Sequence, residues 1–190
     1  MKRAILGAVA LATIALLPAD SQAQRRAVSR PARPVQLAVG AGVAMPMSDL
    51  GDAVGTGFNV AFNGTKKLAS APVWLRGQLD VNMYGTQTIS VGGTDYKSSA
   101  NQIGGLFDVG HDFVSTSSAK PYVLGGLGII RNSYKQKSGN VSVSGDETEL
   151  GINVGGGLKF RMGGRTAWLE ARYLTAGDYD ALPITFGINF

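Results

Sequence analysis

The chain has no cysteine and a single histidine, His111, among its 190 residues. Without thiols there are no disulfides and no thiolate chemistry, and a zinc site has too few of its usual ligands. Only 16% of residues are charged, and beyond Leu17 no stretch reaches 18 consecutive apolar residues. A helical membrane crossing needs about 20 such residues, so a membrane-embedded body must cross by strands. Basic residues interleaved with aromatics are also missing, which argues against nucleic acid as a partner. Glycine, by contrast, is abundant at 27 residues with no collagen-like period. That composition suits many tight turns and closely packed strands within one domain.

The start of the chain reads as a secretory signal. Met1-Lys2-Arg3 is basic, Ala4 to Leu17 is apolar, and Ser21-Gln22-Ala23 offers small residues at a cleavage site after Ala23. Residues 24–34 form an arm with Arg25, Arg26, Arg30 and Arg33 and no acid. The formal net charge is +5, of which residues 1–23 contribute one and the arm four, so the body from Val35 onward is neutral. The arm's composition is that of a solvated linker, able to touch anionic headgroups or cell-wall polymers.

From Val35 to Phe190 the dominant signal is period-two alternation. It appears in eight segments, about 35–45, 55–63, 73–84, 100–114, 121–134, 150–162, 167–174 and 184–190. In the third, Val73, Leu75, Gly77, Leu79, Val81 and Met83 share a face opposite Trp74, Arg76, Gln78, Asp80, Asn82 and Tyr84. A dozen alternating residues exceed the typical globular strand of about 5–6 and match the roughly 9–11 of a tilted membrane strand. Pro46 is expected to close the first strand. The fifth is ambiguous, because Leu124, Leu127, Ile129 and Ile130 fall on both faces. Longer loops are expected at Ser48–Val54, Gly85–Ser99, Gln136–Glu147 and Thr175–Ala181, with a tight turn at Gly163-Gly164. With the arm in the periplasm, these longer loops fall outside the cell, the usual asymmetry of outer-membrane barrels.

One set of faces carries Arg76, Asp80, Asp108, Asp112, Lys159, Arg161, Glu170 and Arg172, four acids and four bases. An eight-stranded barrel leaves an interior just wide enough for side chains, and buried charges persist only when paired. If this face is the lumen, it is a salt-bridged plug. If it is instead the solvated outside of a soluble barrel, the apolar face is the core, as in a lipocalin-like carrier. Tyr122, Phe160, Tyr173 and Phe190 near strand ends have the placement of interfacial girdles, whereas Trp74 and Trp168 fall on the charged face.

Four features together resemble the small eight-stranded bacterial outer-membrane barrels, the OmpA/OmpX-like or opacity-protein-like β-barrel domain. They are the signal segment, the Pro121-Tyr122-Val123 opening of a Gly-rich strand, the strand Trp168-Leu169-Glu170-Ala171-Arg172-Tyr173, and the alternating Ile184-Thr185-Phe186-Gly187-Ile188-Asn189-Phe190. The resemblance covers about Val35 to Phe190. It implies an all-β, eight-stranded antiparallel transmembrane barrel in the outer membrane; no peptidoglycan-binding domain is expected after it. It also implies that Phe186, Ile188 and Phe190 are read by the barrel-insertion machinery. Its partners are outer-membrane lipids and lipopolysaccharide, with an extracellular ligand at the loops, and its roles run through envelope integrity, adhesion, host-factor binding and passage of small molecules.

Chemistry is sparsely signalled. Some such barrels act on lipids, which needs a nucleophile, a base and an orienting acid in reach. His111 shares its face with Phe113, while Asp112 points the other way, so a girdle position is expected and no catalytic residue is assigned. Asp49, Asp52, Asp178 and Asp180 lack EF-hand spacing, and no metal or cofactor is expected. Gly125-Gly126-Leu127-Gly128 and Gly155-Gly156-Gly157 precede no helix and are no phosphate cradle. The expected function is structural or surface-interactive. A narrow channel for small hydrophobic molecules, a lipid-modifying enzyme and a soluble carrier stand as alternatives.

Overall fold

The computed structural model describes residues 34–68, 72–91, 94–115, 118–139 and 141–190. The signal segment and nearly all of the basic arm lie outside these described residues. The elements are β1 (Gln36–Met47), α1 (Ser48–Ala53), β2 (Gly55–Lys67), β3 (Val73–Gly85), β4 (Gln87–Val91), β5 (Thr94–Asp112), β6 (Ala119–Ser138), β7 (Val141–Met162), β8 (Arg165–Ala176) and β9 (Tyr179–Asn189). Every pairing is antiparallel. The ring runs β3-β2-β1-β9-β8-β7-β6-β5 and closes by β3 pairing β5. The barrel therefore has eight strands, and β4 pairs with the upper part of β5. At the seam β1 pairs β9 from Ala38↔Asn189 to Met47↔Asp180, and the Phe190 amide donates to the Leu37 carbonyl at 2.9 Å.

Sidedness follows the alternation. Leu150, Ile152, Val154 and Leu158 on β7 point outward and are 44–68% exposed, while Asn153 between them is buried. Exposed apolar residues recur on the outside of the other strands, among them Val39, Phe62, Leu79, Phe107, Leu127 and Phe186. So continuous an apolar surface has no place in water. From Leu150 to Phe160, at about 3.3 Å per residue and a tilt near 40°, the band is roughly 25 Å tall, the height expected of a lipid-facing belt.

Several expectations change at the strand ends. Pro46 does not close β1. It pairs Ala181, and β2 has already parted from β1 beyond Ala44↔Gly57, so that side has no ladder to complete. The segment Ser48–Val54 contains α1, entered through Ser48 at φ 50° and docked by the Ser48 hydroxyl donating to Asp180 at 2.8 Å. Within the segments Gly85–Ser99 and Gln136–Glu147, residues 87–91, 94–99, 136–138 and 141–147 are strand where loops are expected. β5, β6 and β7 run past the rest of the wall with β4 beside them, in register as far as Val91↔Thr94, Tyr96↔Ser138 and Ser138↔Val141. They form a four-stranded ribbon standing above the barrel. The Thr175–Ala181 segment is a tight reversal, Ala176↔Tyr179, with Gly177 at φ 58°. Gly163 and Gly164, both at positive φ, make the tight turn between Met162 and Arg165.

The ambiguity of the fifth barrel strand resolves in β6. Tyr122, Leu124, Ile130 and Asn132 are buried inside, and Val123, Leu127 and Ile129 face out. Both faces are apolar because Leu124 packs with Trp74 and Tyr122, and Ile130 with Leu106 and Leu174, inside the barrel. Tyr122 is therefore a lumen residue and no girdle residue. Phe160 is half-buried, and Tyr173 and Phe190 face outward. Trp74 and Trp168 lie inside, where a Cβ on Gly110 or Gly187 would collide with their rings. A narrow lumen holds large rings by placing glycine beside them.

Candidate functional site

The inward positions of the strands form a column of polar groups, stacked from the short-turn end to the ribbon end. At the short-turn end Lys67, carried on β2, meets Asp112 at 3.0 Å, and Lys159 pairs the other oxygen of the same carboxylate. The Trp74 indole N–H also donates to Asp112, at 2.7 Å. The Lys159 ammonium sits 4.4 Å from the Trp74 ring centroid and 4.6 Å from that of Tyr122, within cation–π range.

One layer deeper is a ring of four charges. Arg76 donates through both terminal nitrogens to Glu170, at 2.9 and 3.0 Å, and through Nε to Asp108 at 3.1 Å. Arg172 donates to Glu170 at 2.8 Å and lies 3.2 Å from Asp108. The Tyr122 hydroxyl donates to Glu170 at 2.7 Å, and Asn153 to Asp108 at 3.0 Å. All four charged side chains are at most 5% exposed. Bidentate, charge-assisted bonds of this kind are the strong ones, and they offset the desolvation that burial imposes. The ring draws on three strands, with Arg76 on β3, Asp108 on β5, and Glu170 and Arg172 on β8. Since β3 and β5 adjoin each other and β8 lies across the lumen from them, the ring ties opposite walls together.

Above the ring is a belt of amides. Thr185 donates to Asn59 at 2.6 Å, Asn59 to Asn82 at 2.8 Å, Asn82 to Gln102 at 2.9 Å, and Gln102 to Asn132 at 3.0 Å. Asp80 hangs from this belt and accepts from Asn59, Gln78 and Asn82, each at 3.0 Å. An apolar cap of Ala44, Leu50, Val54, Tyr84, Ala100 and Ala181 then closes the column beneath the mouth.

The eight charges marked in the sequence are thus divided. Arg76, Asp108, Glu170 and Arg172 meet in the ring, and Asp112 and Lys159 meet below it. Asp80 is held by amides instead of by a contacting cation. Arg161 does not join them; it is exposed at the short-turn rim and makes no ion pair among the described residues. Lys67 escapes a sequence reading because Lys66-Lys67 looks like a turn, although it continues the inward parity of Asn59, Asn63 and Thr65. The amide belt escapes it too, because attention to charge passes over asparagine and glutamine at inward parity. His111 lies on the outer face, edge-on to Phe113 at 5.1 Å. Phe186, Ile188 and Phe190 also point outward beside the seam, with Phe160 and Phe186 ring centroids 6.3 Å apart.

At the ribbon end a cavity of about 350 Å³ opens above the apolar cap. It is lined by α1, by Ser98 and Ala100, by Tyr134 and Gln136, and by Asp178 and Tyr179. Partial burial works against the Asp180 carboxylate at the foot of α1, but hydrogen bonds from Thr175, Ser48 and Tyr173 outweigh it and hold its pKa below the ordinary range. On the ribbon's outer face, hydrogen bonds from Ser133 and Arg131 lower the pKa of exposed Asp146.

Residues 8–190 match the family model described as outer membrane protein beta-barrel domain. The structure is similar to the crystal structure of Neisserial surface protein A, at 17% identity and a TM-score of 0.55, covering 84% of this chain and 98% of that one. It is also similar to a major outer membrane protein from Thermus thermophilus, at 10% identity and a TM-score of 0.59, covering 83% of this chain and 99% of that one. At such identities the likeness is one of fold. No curated protein matches the chain in sequence.

Proposed function

This chain belongs to the outer membrane protein beta-barrel domain family and resides in the outer membrane, and from that premise we propose that it acts as a closed stave with a structural and surface-interactive role. The observation that carries this reading is the buried Arg76–Glu170–Arg172–Asp108 ring, which occupies the middle of the lumen with groups no more than 5% exposed. A channel for small hydrophobic molecules would have to pass this ring and the amide belt, both costly surroundings for an apolar solute. A lipid-modifying reaction has no base to call on at His111, which faces outward among Phe113 and the apolar band. Planar-bilayer recordings of the refolded protein test the closed lumen. The expected trace stays at baseline, and a steady, large conductance overturns the reading.

Its partners in this reading are the lipids around the band, with lipopolysaccharide phosphates meeting the basic outer face of the ribbon. Lys97 and Lys137 are direct cross-strand partners there, with Lys135 beside them on the same face. Like charges directly opposite are unfavourable alone, and anionic headgroups relieve them. Phe186, Ile188 and Phe190 serve as the signal for the insertion machinery, since they lie outward on β9, one of the two strands that the closing seam joins. Phe190→Ala is expected to lower the folded fraction in the outer membrane several-fold, read by the shift in electrophoretic mobility between boiled and unboiled samples. Unchanged assembly would remove this role.

A further inference from the structure

At the mouth of the barrel the bases keep to one face, while acids stand on both, with Asp146 paired to Arg131 on the outer one. Above the bilayer, the basic side chains of the described residues are Arg131, Lys97, Lys135 and Lys137. All four are odd-numbered positions of β5 and β6, whose even-numbered positions face inward and, lower in the wall, are buried. Glu147 and Glu149 take the inner face of β7, opposite Asn132 and Ile130. Asp49 on α1 and Asp178 at the β8–β9 turn line the cavity itself. Lys135 borders the cavity too, but its register with Ser99 and Ser144 sends its side chain to the other face.

The cavity also has an apolar floor. Leu50, Val54 and Ala100 belong to the buried cap, and Tyr179 packs on that cap. Tyr134 faces inward over Gly145, where a Cβ would meet its ring. One carboxylate oxygen of Glu149 is buried against the Gly177 backbone with no hydrogen-bond partner among the described residues. Burial raises the pKa of the Tyr179 phenol, and Glu147, Tyr134, Glu149 and Asp178 raise it further.

We propose that this cavity binds a small amphipathic organic cation, with its ammonium or guanidinium head beside Asp49 and Asp178, the carboxylates that line it, and its apolar body against Tyr134, Tyr179 and Leu50. Glu147 and Glu149 on the inner face of β7 add to the negative charge nearby. A neutral apolar molecule gains nothing from the carboxylates, and an anion is repelled by them. A bare metal ion leaves the apolar floor unused. A cation beside two tyrosines gains cation–π attraction as well as Coulomb attraction. The volume of about 350 Å³ suits a ligand of one or two rings. This site goes beyond the structural role and does not depend on the closed lumen below it.

The test uses the refolded full barrel in zwitterionic detergent and three probes of one shape: 2-naphthylmethylammonium, 2-naphthylmethanol and 2-naphthylacetate. Binding is followed by amide chemical shifts. The cation is expected to perturb Leu50, Ala100 and Tyr179 and to bind about tenfold more tightly than the alcohol, with the acetate silent. The pair Asp49→Asn and Asp178→Asn is expected to remove most of the cation's advantage and leave the alcohol unchanged. If that variant does not fold, the wild-type protein in about 0.5 M salt, where charges are screened within ~4 Å, gives the same answer through a loss of the cation's advantage. Equal affinity of cation and alcohol would reduce the site to an apolar cleft and overturn the proposal. So would an advantage untouched by the variant or by salt, or shifts confined to the lipid-facing band.

Discussion

β5, β6 and β7 run through both the wall inside the bilayer and the ribbon above it, with opposite sidedness in the two. Along β5, β6 and β7 the alternation continues in one register, but the chemistry of the two faces exchanges. In the row Gly105, Ile129 and Leu150 the outward side is apolar. Two rows higher, at Asn101, Ser133 and Asp146, it is polar, and the next rows bring Ser99, Lys135 and Ser144, then Lys97, Lys137 and Ser142. On the inward-facing side the order reverses from buried Asp108 and Asn153 in the wall to Tyr96, Tyr134, Val141 and Val143 in the ribbon, which are 37–66% exposed. The membrane surface therefore lies within about two rows of the Ile103–Arg131–Thr148 row. A strand has one geometry, and its surroundings decide which face carries the apolar residues.

The strongest way to break this contrast is to remove the polar interior of the wall. Glu170→Ala leaves Arg76 and Arg172 buried without their shared carboxylate, and is expected to cost about 3–5 kcal/mol in detergent unfolding. A negligible loss would mean that the ring does not hold the walls together. A sharper probe compares two outward positions on β7. Val154→Arg, in the middle of the lipid belt, is expected to cost about 2–4 kcal/mol in a bilayer. Ser144→Arg, on the same face of the ribbon, is expected to stay within about 0.5 kcal/mol. Equal costs at the two sites would place the membrane surface elsewhere. The smallest effect concerns the ribbon alone. Lys137→Thr removes the repulsion with Lys97 and is expected to stabilise the protein by about 0.2–1 kcal/mol in neutral detergent. The same change is expected to reduce the lipopolysaccharide retained on purification. A loss of stability there would indicate that the lysines are already neutralised within the protein.

The exchange of faces also explains what can be read from the sequence. Where Val, Leu, Ile and Phe alternate with Arg, Asp and Asn, as in β3, both the strand and the division of its two faces are legible, though not which of them points inward. The ribbon reads as loops because Thr, Ser, Gly and Lys dominate it, although Tyr96, Tyr134, Val141 and Val143 keep the period. β6 resists parity assignment because Leu124 and Ile130 are apolar residues in an otherwise polar interior. For the site, alternation alone places Arg76, Asp108, Glu170 and Arg172 on one set of faces. It does not say that Arg76 meets Glu170 while Asp80 is held by Asn59, Gln78 and Asn82. Those choices depend on the stagger between strands, which emerges once the ring closes.

The seam between β1 and β9 has a consequence for the order of events in folding. Seven of the eight barrel ladders join strands that are neighbours along the chain or separated only by the β4 hairpin, and each can form by local zipping. The eighth pairs Ala38 with Asn189 and brings together segments about 150 residues apart. The entropy of closing so long a loop grows only logarithmically with its length, but the search is slow because the contact is so remote in sequence. Until that ladder forms, β1 and β9 are both open edges with unpaired amides, a state the hydrocarbon interior does not tolerate. The kinetic bottleneck of this barrel is therefore a single zipper, and an assembly factor gains most by shielding or aligning those two edges.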